Sequence, residues 1–297
     1  MLYISKSCLH GAYYRHITRI MTDLSFTKMH GLGNDFVVLD SRRTVISLDT
    51  ELIKYIANRR EGVGCDQVLV IEDAQENSAD VFLRIFNSDG GEVDACGNGT
   101  RCVASLLMSE LETQKIAIQT NAGILNCMTN KGGFISVDIG PANFSWEDIP
   151  LAFELDNLEQ DFAVGALSNP VMVNVGNPHA VFFVEDVFSI PLEKLGPEIE
   201  THKIFPERTN VEVAQILPDD SIRLRVWERG VGITQACGTG ACATLVAASR
   251  RNLTSRIADV ILDGGTLSIK WRDDNHVIMT GPVASVFSGI ICKSIVV

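Results

Sequence analysis

The chain has 297 residues, 46% of them hydrophobic and 21% charged, and it carries a net charge of −12. This acidic balance argues against binding to nucleic acid or to an anionic membrane surface, because both require clustered lysine and arginine. No apolar stretch approaches the roughly 20 residues that span a bilayer, and the hydrophobic content excludes a disordered chain. The length predicts two globular domains.

The first twenty residues differ in composition from the rest of the chain. They contain Lys6, Arg15 and Arg19 but no acidic residue. We interpret this segment as a tail that precedes a natural start at Met21, with an organelle transit peptide as the alternative, and we place residues 1–25 before the first domain.

Short runs of alternating or β-branched residues predict strands through both halves of the remaining chain. In the first half these strands cover residues 35–40, 67–72, 80–86, 114–120 and 134–139. In the second half they cover residues 179–185, 210–216, 221–227, 257–263, 266–271 and 276–280. Helices are predicted at 50–60, 98–111 and 239–251, and the last two are apolar on nearly every side, so each should be buried inside its own half.

An internal repeat relates the two halves. Gly33-Asn34 matches Gly176-Asn177 at an offset of 143, and Ala95–Gly99 matches Ala236–Gly240 at an offset of 141. Three further matches follow the same order at these offsets: Gln67–Val70 with Asn210–Val213, Leu83–Asn87 with Leu224–Glu228, and Gly140-Pro141 with Gly281-Pro282. This period is too long for a solenoid repeat and indicates a duplicated domain.

The repeat and the elements together predict an α+β fold of two pseudo-symmetric homologous domains. Each domain is expected to be a strand-rich, barrel-like layer wrapped around one central buried helix, with the active site in the cleft between them. Residues 26–140 form the N-terminal domain and residues 141–283 the C-terminal domain. Residues 284–297 have no counterpart in the first half, and we expect them to form a strand pair that completes the N-terminal domain.

Two of the eight cysteines stand apart from the other six. No CxxC pair exists, which argues against zinc-ribbon and thioredoxin-type sites, and without a secretory signal we expect reduced thiols in the cytoplasm. Cys96 and Cys237 occupy equivalent positions at the predicted starts of the two buried helices, each followed by Gly-x-Gly. Free backbone N–H groups at a helix start bind anions and lower the pKa of a thiol. The pair is therefore a candidate site for a small anionic ligand.

Two equivalent thiols facing one ligand suit the inversion of a carbon–hydrogen centre. One thiolate removes the α-proton from one face while the other thiol returns a proton to the opposite face, and the two helix starts stabilise the charge that develops on the carboxylate. A nucleophilic cysteine hydrolase needs one cysteine, not a matched pair.

These residues lie in blocks that resemble the diaminopimelate epimerase family. The resemblance runs from Phe26 to the end of the chain and is carried by four blocks in particular: RIFNSDGGEVDACGNGTRC at 84–102, GNPHAVFF at 176–183, RTNVE at 208–212 and WERGVGITQACGTGACA at 227–243. It implies epimerisation of LL-diaminopimelate to meso-diaminopimelate without cofactor or metal, in lysine and peptidoglycan precursor synthesis, by a homodimer. Trp227 and Ile233 depart from the family pattern, where we expect Tyr and Glu.

The resemblance also assigns roles to individual residues. It implies that Cys96 and Cys237 are the acid and base, and that His179 and Glu228 assist them. Backbone N–H groups at Gly97-Asn98 and Gly238-Thr239 are expected to bind the α-carboxylate. The other implied substrate contacts are Asn34, Gln67, Asn87, Asn177, Asn210, Glu228 and Arg229.

Two alternative functions remain open from the sequence. One is a related cofactor-independent isomerase such as a proline or hydroxyproline racemase, although Arg229 and the asparagines favour a substrate with a distal charged group. The other is a thiol redox or metal-binding protein that uses Cys96 and Cys237. A purely structural role for His179 after a proline turn is a further alternative.

Overall fold

The computed structural model describes residues 23–44, 46–156, 158 and 161–292. The predictions for residues 1–22, including the natural start and the transit peptide, lie outside these residues. The helices are α1 (Thr50–Ala57), α2 (Gly97–Glu110), α3 (Leu192–Glu200) and α4 (Gly238–Arg250). The strands of the first half are β1 (Leu24–Gly31), β2 (Asn34–Asp40), β3 (Gln67–Asp73), β4 (Val81–Asn87), β5 (Glu92–Val93), β6 (Lys115–Thr120), β7 (Gly123–Thr129) and β8 (Ile135–Pro141).

The second half contains eleven strands among the described residues. They are β9 (Ala163–Val164), β10 (Leu167–Ser168), β11 (Val171–Asn174), β12 (Pro178–Phe183), β13 (Asn210–Ile216), β14 (Ile222–Glu228), β15 (Gly232–Ile233), β16 (Ile257–Leu262), β17 (Gly265–Trp271), β18 (His276–Gly281) and β19 (Ala284–Ile291).

Strand pairing repeats between the halves. In the first half the neighbours run β1, β2, β3, β4, β6, β7, β8, with parallel pairing at β2/β3 and β4/β6 and antiparallel pairing elsewhere. The second half repeats this arrangement as β11, β12, β13, β14, β16, β17, β18, with parallel pairing at β12/β13 and β14/β16. The duplication read from the sequence is therefore a duplication of topology, and the predicted α+β class with two homologous halves is confirmed.

The two halves are joined through their last strands. β8 pairs antiparallel with β18, its equivalent in the repeat, with Val137 opposite Met279 and Ser136 opposite Thr280. β19 then returns to the first half and pairs antiparallel along β1. A strand pair was expected over residues 284–297; residues 284–291 form the single strand β19, and residues 293–297 lie outside the described residues. Gly289 lies opposite Phe26 in this pairing, and the Phe26 ring lies 2.8 Å from a Cβ built at 289.

The predicted central helices are buried. α2 and α4 lie in one continuous hydrophobic core together with strands of both halves, and ten residues of α4 are buried. The matching α1 and α3 lie in separate clusters, α1 with strands of the first half and α3 with strands of the second. Each half is thus a sheet with a central helix on one face and a shorter helix on the other.

Helix α3 was not predicted from the sequence. It begins after Pro191 and contains Gly196 and Pro197, residues that normally end helices. Its burial of Leu192, Leu195 and Ile199 at helical spacing explains why it forms, because tertiary packing overrides weak local propensity. Among the described residues, no helix combines the length and the apolar character needed to cross a membrane.

Candidate active site

Cys96 and Cys237 cap the two central helices in the same way. Each is the N-cap residue with extended backbone, and its Sγ accepts a hydrogen bond from the backbone N–H three residues ahead: Gly99 at 3.4 Å and Gly240 at 3.3 Å. The helix start thus presents its free N–H groups beside each sulfur. Cys96 is partly exposed, whereas Cys237 is 5% exposed.

One side chain links the two helix starts. Nδ2 of Asn98 donates to the carbonyl of Ala236, the residue before Cys237, at 3.3 Å, and to Oδ1 of Asn34 at 3.2 Å. Cys96 Sγ lies 4.0 Å from the same Asn34 oxygen. The structure therefore brings Asn34 and Asn98 of the first half together with both cysteine segments.

The side-chain end of Met279 lies close to the first residue of each central helix. A Cβ on Gly97 would lie 2.6 Å from Met279 Cε, and a Cβ on Gly238 would lie 2.7 Å from its Sδ. The methionine, on the strand that joins the halves, thus packs against both helix starts. A larger residue at 97 or 238 would therefore have to displace the end of the Met279 side chain.

Burial dominates the acidity of both sulfurs. It raises the pKa of Cys96 to about 11, although hydrogen bonds from Gly99 and Asn98 and the charge of Arg101 act in the opposite direction. Burial also raises the pKa of Cys237 well above its ordinary value, and the charges of Glu228 and Glu212 add to this effect. The expectation of thiols acidified by their helix starts is therefore wrong as a net effect, because desolvation outweighs the helix contribution. A thiolate formed here is a strong base.

Glu228 lies beside Cys237. Its Oε1 accepts a hydrogen bond from the Thr234 hydroxyl. Burial raises the pKa of Glu228, while hydrogen bonds from Thr234 and Cys237 partly lower it. A carboxyl group with a raised pKa in contact with a thiol is suited to exchange a proton with it.

His179 is completely buried and both of its ring nitrogens are occupied. Nδ1 lies 2.7 Å from Oε1 of Glu212 and Nε2 lies 2.8 Å from Oδ1 of Asn177. Glu212 is also completely buried, and burial raises its pKa although the nearby His179 acts to lower it. The same Glu212 oxygen would be 3.0 Å from a Cβ on Gly240, so the pair packs against the first turn of α4.

The repeat is broken at this pair. The first-half positions equivalent to His179 and Glu212 are Phe36 and Leu69, both completely buried and apolar. Leu69 packs against Gly99 as Glu212 packs against Gly240. The two cysteines therefore have equivalent backbones, but the strand residue that packs against the first turn of the helix is Leu69 in the first half and Glu212 in the second.

Polar side chains predicted to bind substrate pair with one another around the helix starts. Nε2 of Gln67 donates to Oδ1 of Asn87 at 2.9 Å across adjacent strands, and Oε1 of Gln67 is buried without a hydrogen-bond partner. Nδ2 of Asn34 donates to Oδ2 of Asp66 at 2.9 Å. Thr239 Oγ1 lies 3.6 Å from Cys237 Sγ.

Asn210 and Arg229 form a second connected pair. The Asn210 side chain, 3% exposed, donates to the Pro178 carbonyl at 2.8 Å and accepts from the Arg229 backbone N–H at 2.9 Å. The Arg229 guanidinium is exposed and donates to the Glu207 carbonyl at 3.1 Å. Asn210 thus fixes the chain at residue 229, from which the guanidinium reaches solvent.

Two residues near the predicted site were missed from the sequence. Glu212 lies in the RTNVE block, and a charged residue within a strand of buried β-branched neighbours was the available signal. Asp66 binds Asn34, but its counterpart in the repeat is Thr209, so no shared pattern marked it. The departure at Trp227 serves packing: its indole N–H donates to the buried Glu200 of α3 at 2.7 Å, and Trp227 lies opposite Ile233.

The described part of the chain has no group of three or more His, Cys, Asp or Glu residues that could hold a metal ion. The seven cysteines in that part form no disulfide bonds.

Comparison with known proteins places the chain in a family. The model of the diaminopimelate epimerase family matches residues 26–145 and 171–286. The diaminopimelate epimerase of Rhodospirillum centenum is 52% identical over 270 residues, covering 91% of this chain and 93% of the relative. That of Acidiphilium cryptum is 51% identical over 264 residues, covering 89% and 95%.

Solved structures with much lower identity share the fold. A hydroxyproline epimerase from Agrobacterium vitis has a TM-score of 0.68 at 14% identity, covering 93% of this chain and 94% of its own. A phenazine biosynthesis protein of the PhzF family from Bacillus anthracis has a TM-score of 0.64 at 17% identity, covering 91% and 99%. The chain belongs to the diaminopimelate epimerase family and is an isomerase, as its motifs predict.

Proposed function

We propose that the chain interconverts LL-diaminopimelate and meso-diaminopimelate by a two-base mechanism, with Cys96 and Cys237 as the two bases. The observation that carries this proposal is the pair of equivalent helix starts, each capped by a cysteine and linked through Asn98 to the residue before Cys237. This enzyme would supply meso-diaminopimelate for lysine and peptidoglycan precursor synthesis, without a cofactor or metal.

The chemistry needs one cysteine as thiolate and the other as thiol. The thiolate takes the α-proton, and the carbon–hydrogen electron pair is delocalised onto the α-carboxylate. The opposite thiol then gives its proton to the other face of the α-carbon and becomes the thiolate. We propose that backbone N–H groups of Gly97-Asn98 and Gly238-Thr239 stabilise the charge on the carboxylate. The raised pKa of both thiols makes each thiolate a stronger base toward the α-proton.

The polar groups around the helix starts suit a substrate with two amino-acid ends. Gln67, Asn87 and Asn34 offer neutral donors and acceptors in the first half. Glu228 supplies a carboxyl group for an ammonium, and Arg229 supplies a guanidinium for a carboxylate. We propose that Asn177, held by His179, and Asn210, held against Arg229, complete the recognition of the distal end.

Solvent deuterium separates a two-base from a one-base mechanism. Incubation of LL-diaminopimelate in heavy water under reductant should give meso product labelled at the inverted α-carbon, while substrate recovered at early conversion remains unlabelled. This pattern follows because the thiol that donates has exchanged with solvent and the thiolate that abstracts has not returned its proton. No exchange and no change in isomer ratio would refute the proposed activity.

Single variants test the assignment of the two faces. Cys96→Ala and Cys237→Ala should each abolish epimerisation, and each should still exchange the α-hydrogen of one isomer but not the other, because one base remains on one face. Cys65→Ala is the matched control, since Cys65 is a buried thiol outside the two helix starts. Exchange that survives the double Cys96→Ala/Cys237→Ala variant would refute the mechanism.

The same assays discriminate the alternative functions. Turnover of L-proline or hydroxyproline with no turnover of diaminopimelate would favour the racemase alternative, for which the shared fold of the Agrobacterium vitis enzyme is the supporting observation. A thiol redox or metal-binding role would be favoured by an exchange-inactive protein whose Cys96 and Cys237 cycle between thiol and disulfide.

We further propose the domain organisation, the assembly and the compartment given by the sequence. Pairing of β19 with β1 supports a first domain of 26–140 completed by 284–297, beside a second domain of 141–283.

Exposed apolar residues on β19, Val286, Phe287 and Ile290, support a homodimer through this strand. Unpaired cysteines support the reducing cytoplasm. Sedimentation of the full chain measures the assembly, and a monomer at micromolar concentration would refute it.

A further inference from the structure

Arg101 is a completely buried arginine without a carboxylate partner among the described residues. Its Nη2 donates to Oδ1 of Asn98 at 2.9 Å, its Nη1 contacts Met279 Sδ at 3.2 Å, and its Nε has no hydrogen-bond partner. A buried charge costs several kcal/mol unless it is paired. The fold therefore buries a cation whose contacts, Asn98 and Met279, are both neutral.

Residues of both halves line the space that the Arg101 guanidinium occupies. A Cβ on Gly31, at the end of β1, would lie 3.0 Å from Nη2, and a Cβ on Gly281, at the end of β18, would lie 3.4 Å from Nε. The guanidinium thus fits between glycines contributed by the two halves. Its ionisable neighbours are the thiols of Cys96, Cys102 and Cys242.

Arg101 controls the side chain that links the helix starts. The guanidinium holds the amide oxygen of Asn98, and this orients the amide nitrogen toward Asn34 and toward the Ala236 carbonyl. Asn98 in turn lies next to Gly97 in the first turn of α2. A displaced guanidinium would therefore disturb the positions of Cys96 and Cys237 together.

The repeat provides only one such arginine. The equivalent position in α4 is Cys242, which is also completely buried. Met279, the other group that Arg101 contacts, packs against both Gly97 and Gly238. Arg101 alone therefore contacts, through Asn98 and Met279, groups that lie at both helix starts.

We infer that Arg101 is a positioning residue that aligns the two helix starts through Asn98 and Met279, and that its charge favours the thiolate of Cys96. The charged neighbours of Cys96 are Arg101 and Glu228, which act on it in opposite directions. This inference rests on the proposed function for its catalytic part, whereas the effect on Cys96 is measurable without substrate.

Two variants at position 101 test the charge and the geometry separately. Arg101→Met removes the cation and keeps most of the side-chain length, whereas Arg101→Lys keeps the cation and loses the planar fork that holds Asn98. Arg84→Met, which removes an arginine paired with Glu92 on the surface of β4, is the control. For each protein, alkylation of Cys96 by iodoacetamide is followed from neutral to alkaline pH by peptide mass spectrometry, and kcat and KM are measured for diaminopimelate.

Arg101→Met should move the alkylation profile of Cys96 to higher pH and lower kcat by about tenfold to hundredfold, with a smaller change in KM. Arg101→Lys should restore the alkylation profile while kcat recovers only in part.

An unchanged Cys96 profile in Arg101→Met would overturn the role of the charge. If that variant does not fold, Arg101→Lys decides: a wild-type kcat would overturn the positioning role, and an upward shift of its Cys96 profile would overturn the role of the charge. Failure of the proposed substrate would leave the alkylation result standing, so the two outcomes are distinguishable.

Discussion

Replacement of Glu212 by leucine probes the pair that makes the two halves unequal. Glu212 and His179 are both completely buried and 2.7 Å apart, while the equivalent residues of the first half, Leu69 and Phe36, are apolar. The first half thus shows that this scaffold accepts an apolar pair at these strand positions. Glu212→Leu alone leaves Nδ1 of His179 buried without its partner.

The expected magnitudes follow from this burial. Either single variant, Glu212→Leu or His179→Phe, should lower the free energy of unfolding by about 3 kcal/mol. This value is the upper end of the range for a buried polar group that loses its partner, and the lower end of the range for a broken buried ion pair. The double variant replaces both polar groups by the pair that the first half uses. It should unfold within about 1 kcal/mol of the wild type, because well-packed apolar replacements of buried pairs are often neutral.

Urea unfolding followed by tryptophan fluorescence at neutral pH measures this cycle, with a common m-value for all four proteins. The sum of the two single losses should exceed the loss of the double variant by about 5 kcal/mol. Small and additive losses would refute the reasoning that burial makes the pair interdependent. Epimerase activity should remain low in the stable double variant, because Asn177 loses the imidazole that holds it.

Three further predictions concern individual groups. Gly97→Ala should lower kcat, because its Cβ would displace the end of the Met279 side chain, and Gly97→Ala/Met279→Ala should recover part of it in the same assay. In the free protein at pH 7, alkylation of Cys96 should be about a hundredfold slower than that of an exposed cysteine, since burial raises its pKa to about 11, and an equal rate would contradict this. Burial raises the pKa of Asp35, but hydrogen bonds from Arg59 and Lys28 outweigh it and hold that pKa well below its usual range. The stability that Asp35 contributes is therefore present above the usual carboxyl pKa and lost as pH falls through the folded value, so Asp35→Asn should flatten the unfolding free energy between about pH 5 and pH 2.

Strand and helix positions close to the motifs were predictable from the sequence. The starts of α2 and α4 were placed within one residue, because a cap cysteine, Gly-x-Gly and an apolar run are local signals. α3 was missed because its proline and glycine contradict the helix that packing enforces. β1 was missed as well, and its pairing with β19 joins segments far apart in the chain.

The sequence by itself determined the duplication, the α+β class, the family and the matched cysteines, because covalent order and short motifs carry that information directly. The roles of the individual site residues remain predictions. Only the tertiary structure decided that Glu212 pairs with His179, that Asp66 binds Asn34 and that Asn98 links the helix starts, since these contacts join residues distant in the chain. It also reversed the expected acidity of Cys96 and exposed the solitary cation of Arg101, because desolvation depends on how deeply a group is buried and no local motif encodes that depth.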